Sequence, residues 1–235
     1  MAVMLGAVTL GGCAASGDGA VTTTAAATTT APLAPAVTFA VGAVSLTVQP
    51  TASFTADGGT LSVTTDDDGS ARLHVTSSAA RQTTTATLAG RDGTTLDVRP
   101  DGSLVVRSDD GTPVAGITPT EARLADDDGT VTLSASYGAE LWLADTAVTS
   151  LDWGDREGGR SLAVTPTAWG RSGSQAAGDM VWAAVSAQPD ADTPSMHDQL
   201  RCHRIFAPDK ATWNLEPWRP KVDWATLVAD RCNPT

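Results

Sequence analysis

The chain has 235 residues, a net charge of −12 and a pI of about 4.4. Its length suits one large domain or two small ones. The acidity excludes a nucleic-acid partner, which needs a basic face, and excludes capture of an anionic membrane by a polybasic patch.

The chain opens MAVMLGAVTLGGCAAS. An apolar run leads into Leu10, Gly11, Gly12 and Cys13. This resembles the bacterial lipobox, in which small residues let the chain lie extended in a peptidase groove and the Cys thiol takes a diacylglyceryl group. The run is too short to span a bilayer as a helix, but it suits a signal-peptide core. No Lys or Arg precedes it, so the expectation is that translation starts upstream of Met1. Residues 1–12 are read as a lipoprotein signal peptide and Cys13 as the lipidation site. This predicts an extracytoplasmic protein, lipid-anchored to the outer face of the cell membrane. Residues 13–37 are rich in Thr, Ala and Pro with almost no large apolar side chain. Such a stretch cannot offset its own ordering entropy, and a disordered tether is expected.

From 38 to 138 the recurring signal is Asp-Gly, at 57, 68, 92, 101, 110 and 128. Both residues tolerate positive φ, as a two-residue hairpin turn requires. Between the turns, segments such as RLHV at 72–75 and SLVV at 103–106 alternate, with apolar residues two apart. An antiparallel β-meander with a thin core is expected, a spacer or platform and not the wall of a deep pocket. The runs Asp66–Asp68 and Asp126–Asp128 lack the spacing of a calcium loop and are read as structural turns. His74 is read as a strand-face residue.

The texture changes near residue 138. All seven Trp lie between 142 and 224, whereas only Phe39 and Phe54 represent the aromatics before residue 130. Residues 139–235 are therefore read as a separate α+β region. Segments 141–153, 160–171 and 179–189 alternate and predict three antiparallel strands. A helix is expected over 193–206, with Ser195 as N-cap and Asp198 near a capping box. A second short helix is expected over 224–232, capped by Asp223. Cys202 and Cys232 sit on or at the end of these helices. With Cys13 lipidated, two Cys remain outside the cytoplasm and are expected to pair. The fold class is mainly β: an antiparallel meander, then a small disulfide-bonded antiparallel sheet with two short helices.

The bridge would hold the loop carrying Trp213, Trp218 and Arg219. Two readings of the tryptophans are open, core pieces or an exposed platform. Trp213, Trp218, Arg219 and Arg171 form the candidate binding surface. Arg171, Arg201, Arg204 and Arg219 are also candidates to receive an anionic group. Asp152, Glu157 and His203 are the weak catalytic candidates, carboxylates for glycoside hydrolysis and an imidazole on an apolar helix side. His197, His203 and Cys202 are too few for zinc, and neither a metal nor another cofactor is implied.

TAWGR at 167–171, MHDQLRCH at 196–203, WNLEPWRP at 213–220 and RCNPT at 231–235 resemble the actinobacterial domain of unknown function 2599, over about residues 139–235. The skew to Arg, with only Lys210 and Lys221 as lysines among 15 basic residues, suits the GC-rich coding of such a source. The resemblance implies a secreted or lipid-anchored protein and the Cys202–Cys232 pair, and it implies no activity. The expected function is a non-enzymatic module that binds an envelope polymer or another envelope protein. A hydrolase acting on envelope glycan or lipid is the alternative, and a purely structural envelope protein the third reading.

Overall fold

The structure is a computed structural model that describes residues 34–235. The segment expected to be a signal peptide, the expected lipidation site Cys13 and most of the expected tether lie outside the described residues. No described helix is long and apolar enough to cross a membrane.

Nine antiparallel strands form one sheet. They are β1 (Val37–Val41), β2 (Val44–Pro50), β3 (Thr60–Thr65), β4 (Ala71–Thr76), β5 (Thr83–Gly90), β6 (Thr94–Val98), β7 (Leu104–Ser108), β8 (Pro113–Asp127) and β9 (Thr130–Ala144), with a one-turn helix α1 (Ala52–Ala56) after β2. Strand β9 organises the sheet. One edge pairs with β8 along its whole length. The other edge is shared, β5 taking Val131–Ala135 and β4 taking Ala139–Leu143. At the changeover Gly138 and Glu121 both have positive φ, and the ladder shifts register between Thr120 and Ala122. An irregularity of this kind bends a strand pair. The order is therefore a meander only from β6 to β9. Only residues 91–93 separate β5 from β6, yet three strands lie between them in the sheet. The sheet must roll to bring them together, and Leu96 and Val98 of β6 pack against the common core.

That core is fuller than composition suggested. Phe39, Leu46, Leu73, Leu104, Ile117, Leu133 and Leu141 are almost wholly buried in it. Strict alternation concentrates few apolar residues on one face, so Leu and Val fill most of it with only Phe39 and Phe54 as aromatics.

The Asp-Gly turns divide by context. Asp128 and Gly129 both adopt positive φ, 50° and 84°, and close the β8–β9 hairpin in two residues. At Asp68, Asp101 and Asp110 the carboxylate accepts the backbone N–H two residues on, at 2.9, 3.0 and 2.9 Å. These aspartates are thus occupied in building their own turns. Asp57-Gly58 instead ends α1, and Asp92-Gly93 makes the step from β5 to β6.

The rest of the chain forms β10 (Val148–Arg156), β11 (Gly159–Pro166), a 3₁₀ turn at Trp169–Arg171, α2 (Gln175–Ser186), α3 (Pro194–Phe206), β12 (Trp213–Leu215) and α4 (Trp224–Ala229). The second sheet runs β10-β11-β12. The strand expected over 179–189 is instead the body of α2. Its apolar residues Ala176, Ala177, Met180, Val181 and Val185 recur at helical spacing and are all buried, and the Ser174 hydroxyl accepts from Ala177 N–H at 3.1 Å as N-cap. The third strand is β12, inside the Cys-bracketed loop. The cap of α3 is Thr193, one residue before Pro194, and not Ser195. Ser195 is buried and donates its hydroxyl to Arg219 O at 2.9 Å. The Cys202–Cys232 disulfide is present, in a small cluster with Leu227, Trp224 and Val228.

Strand β9 runs unbroken through residues 138 and 139, and the sheet serves as the floor of the C-terminal region. Alternation in β7 sends Leu104 and Val106 into the first core and Val105 into the second, beside Trp169, Ala176 and Val181. A Cβ on Gly116 of β8 would lie 2.5 Å from the Trp169 ring, so only glycine permits this approach.

Candidate functional site

Strand β12 positions the site. Trp213 and Leu215 point into the second core, so Asn214 and Glu216 fall on the opposite face. There they meet His203 of α3 and the β10–β11 turn, where Glu157 and Gly158 both have positive φ. Together they enclose a pocket of about 140 Å³. Arg156, Glu157, His203, Lys210, Asn214 and Glu216 line it, with Thr212 and Asn233 completing the wall. Every one of these side chains is polar.

Beneath the pocket lies a buried polar network. The Arg219 side chain is only 2% exposed. Its Nε donates to Glu216 Oε2 at 3.0 Å, one terminal nitrogen donates to Glu157, and the other donates to Pro234 O at 3.0 Å and Asn233 O at 3.3 Å. Glu216 Oε1 accepts the Ser161 hydroxyl at 3.0 Å. Gln199 clamps the Glu216 backbone from both sides, accepting its N–H and donating to its carbonyl, each at 2.9 Å. Burying a charge pair is tolerated when the remaining donors and acceptors are filled in this way.

His203 is buried, and its Nε2 lies 3.2 Å from Asn214 O. A carbonyl only accepts, so the neutral ring carries its proton on Nε2 and leaves Nδ1 as a bare lone pair. Among the described residues, Nδ1 has no hydrogen-bond partner. Burial pushes the imidazole pKa down to about 4; the Lys210 charge also lowers it, and the bond to Asn214 opposes both. The ring is neutral at pH 7.

The residues expected to form one binding surface take different roles. Trp213 is a core piece, its indole N–H donating to Ala207 O at 2.9 Å. Arg171 sits 5.3 Å from the Trp213 ring and donates to Pro208 O, Lys210 O and Ala211 O at 2.5–2.8 Å, which pins the loop to the 3₁₀ turn. Trp218 is 45% exposed and lies between the Arg219 guanidinium, 4.6 Å away, and Gly159. A single exposed indole is not a flat aromatic platform. Asp152 is exposed on β10 opposite Ala163 and takes no part in the pocket lining. Glu157 and His203 do meet there. Sequence reasoning missed Arg156, Lys210, Asn214 and Glu216; period-two alternation through WNLE, read as a strand, would have placed the last two together.

Residues 148–235 match the model of a family described as "Protein of unknown function (DUF2599)". An uncharacterized protein of Mycobacterium tuberculosis is 47% identical over 83 residues, 32% of this chain and 56% of that protein. One of Mycobacterium leprae is 43% identical over 81 residues, 32% of this chain and 60% of that protein. The chain thus spans little more than half the length of these curated relatives. No solved structure matches it. From its tenth strand to its last residue the chain matches the DUF2599 family, and the nine-stranded sheet lies ahead of the matched region.

Proposed function

We propose that this protein is an envelope-anchored, non-enzymatic binding module, held outside the cytoplasmic membrane through Cys13. Its pocket takes an acidic, hydroxyl-bearing segment of an envelope polymer. One observation carries the reading: Arg156 and Lys210 make no ion pair among the described residues, and they share an all-polar pocket with the unpartnered His203 Nδ1. The cations suit an anionic group. The bare imidazole nitrogen suits a hydroxyl donor beside it. The lipobox and the disulfide support the address.

The hydrolase reading fares worse on physical grounds. A general base works best with a pKa near the working pH, whereas burial holds His203 near 4. Glu157 is tied to Arg219, and Asp152 stands apart from both. No carboxylate pair flanks the pocket at liberty to act as acid and nucleophile.

The test is intrinsic tryptophan fluorescence of the full chain, titrated with fractionated acidic cell-wall polymers. A saturable shift is expected with at least one fraction, weakened about tenfold by Arg156→Gln or Lys210→Gln through loss of a charge-assisted contact. No saturable shift with any fraction, or undiminished binding in both variants, overturns the reading. Release of reducing ends or fatty acid, abolished by His203→Gln, replaces it with the hydrolase.

A further inference from the structure

A second cleft, of about 220 Å³, opens where α2 and α3 meet the turn between β6 and β7. It shares no lining residue with the His203 pocket. His197, Arg201 and Arg204 fall at i, i+4 and i+7 on α3 and so share one face. Asp179 and Trp182 of α2 stand opposite, and Arg99 enters from the β6–β7 turn.

The charges in the cleft do not balance locally. Arg99 Nε lies 3.0 Å from Asp179 Oδ2, and its terminal nitrogen 3.3 Å from Asp97. Among the described residues, Arg201 and Arg204 have no carboxylate within ion-pair distance. Arg201 instead lies 4.4 Å over the Trp224 ring. Arg204 donates one terminal N–H to Ser174 O at 2.6 Å, while its Nε is buried without a partner among the described residues. The Arg99 Nε and Asp179 Oδ2 contact is close, yet neither atom is aligned for a hydrogen bond. The nearby Asp101 is committed, accepting from Gln175 N–H and from Ser103. A buried, unfilled guanidinium donor is costly unless an anion completes it.

We propose that this cleft binds a phosphate group, as a soluble phosphate or phosphate ester or as a lipid headgroup. Three guanidiniums converge from two directions, from α3 and from the β6–β7 turn. A planar carboxylate is satisfied by one guanidinium fork, whereas a tetrahedral phosphate presents oxygens to several. The edge-to-face pair of Trp182 and His197, 4.7 Å between centroids and 78° between planes, gives an aromatic corner against which the remainder of an ester can rest. The site joins Arg99, in the β6–β7 turn, to the region that matches DUF2599, so it requires the full chain.

The experiment uses the full chain carrying Cys13→Ser, so that no acyl group contributes. One arm follows tryptophan fluorescence against inorganic phosphate. The other measures co-sedimentation with phosphatidylglycerol vesicles against phosphatidylcholine vesicles. Saturable phosphate binding is expected, weakened about tenfold or more by the exposed substitution Arg201→Gln and likewise by Arg99→Gln, but unchanged by Arg81→Gln, an exposed arginine that lines neither pocket. Phosphate binding without vesicle binding assigns a soluble ligand. Selective binding to phosphatidylglycerol, lost in Arg201→Gln, assigns a headgroup. Absence of binding in both arms, or binding that Arg201→Gln and Arg99→Gln leave intact, overturns the proposal. Arg204 is left unchanged because its bond to Ser174 holds the start of α2.

Discussion

Arg219 shows how a residue that reads as surface charge becomes an internal strut. Removing it strips Glu216 of its partner while the carboxylate stays buried at 1% exposure. Arg219→Ala should therefore cost about 3–5 kcal/mol in urea unfolding. Adding Glu216→Leu should recover part of that loss, since no buried charge then remains. A single variant within about 0.5 kcal/mol of the parent contradicts this account. His203 gives a pH-dependent companion. Its folded pKa, about 4, lies below the ordinary 6.5. Between those values the unfolded state binds more protons, so stability falls as pH drops from 6.5 toward 4 and is fully present above 6.5. The loss is on the order of 3 kcal/mol. His203→Gln should flatten that part of the profile, measured as the urea midpoint at pH 7 and pH 4.5 against the parent. The helix face on which His203 sits was legible from spacing. Its single satisfied nitrogen was not, because that depends on where β12 crosses α3.

At the scale of elements, the sequence speaks clearly where one period is present and ambiguously where two fit. Strands β3, β4, β6 and β7 are visible as Leu and Val two apart between turns, and α4 as an Asp-capped apolar set. Segment 179–189 satisfies both periods. What decides for a helix is its Ser174 cap and the Ala-rich stretch at 176–177, both ahead of residue 179. Strand β12 has three residues, too few for periodicity to register, and it forms because β11 offers an edge to Trp213–Leu215. Its loop is held by Arg171 and by the disulfide, which closes a separation of 30 residues. Reduction should cost about 3 kcal/mol through the freed entropy of the unfolded loop. The expected signature is a lower thermal midpoint with weakened binding in the His203 pocket. A midpoint unaffected by reductant leaves the loop held by Arg171 and packing alone.

The molecule as a whole departs most from what the sequence conveyed. Composition breaks near residue 138, and a break in composition reads as a break in structure. Strand β9 crosses that point because the backbone ladder takes no account of aromatic content. The two cores differ in chemistry, one mostly aliphatic and one rich in Trp, yet they share a wall. Leu104 and Val106 face one while Val105 faces the other, and Gly116 lets Trp169 seat against β8. Thr118 meets Ser174 at 2.8 Å, and Ser103 accepts from Ala176 N–H at 3.0 Å, so the start of α2 is fixed by the sheet. It follows that the region matching DUF2599 draws stability from the strands ahead of it. Residues 148–235 alone should unfold at lower urea than the same region in the full chain, and the full chain should give one transition by both tryptophan fluorescence and far-UV circular dichroism. Gly116→Ala supplies the pointed form of this test. The added methyl must displace the Trp169 ring, and overpacking of that kind costs about 1–3 kcal/mol. If the shared wall couples the halves, the substitution lowers the single midpoint. If they are independent, the tryptophan signal shifts while the sheet's transition stays in place, and the sheet is then a support against which the C-terminal region merely rests.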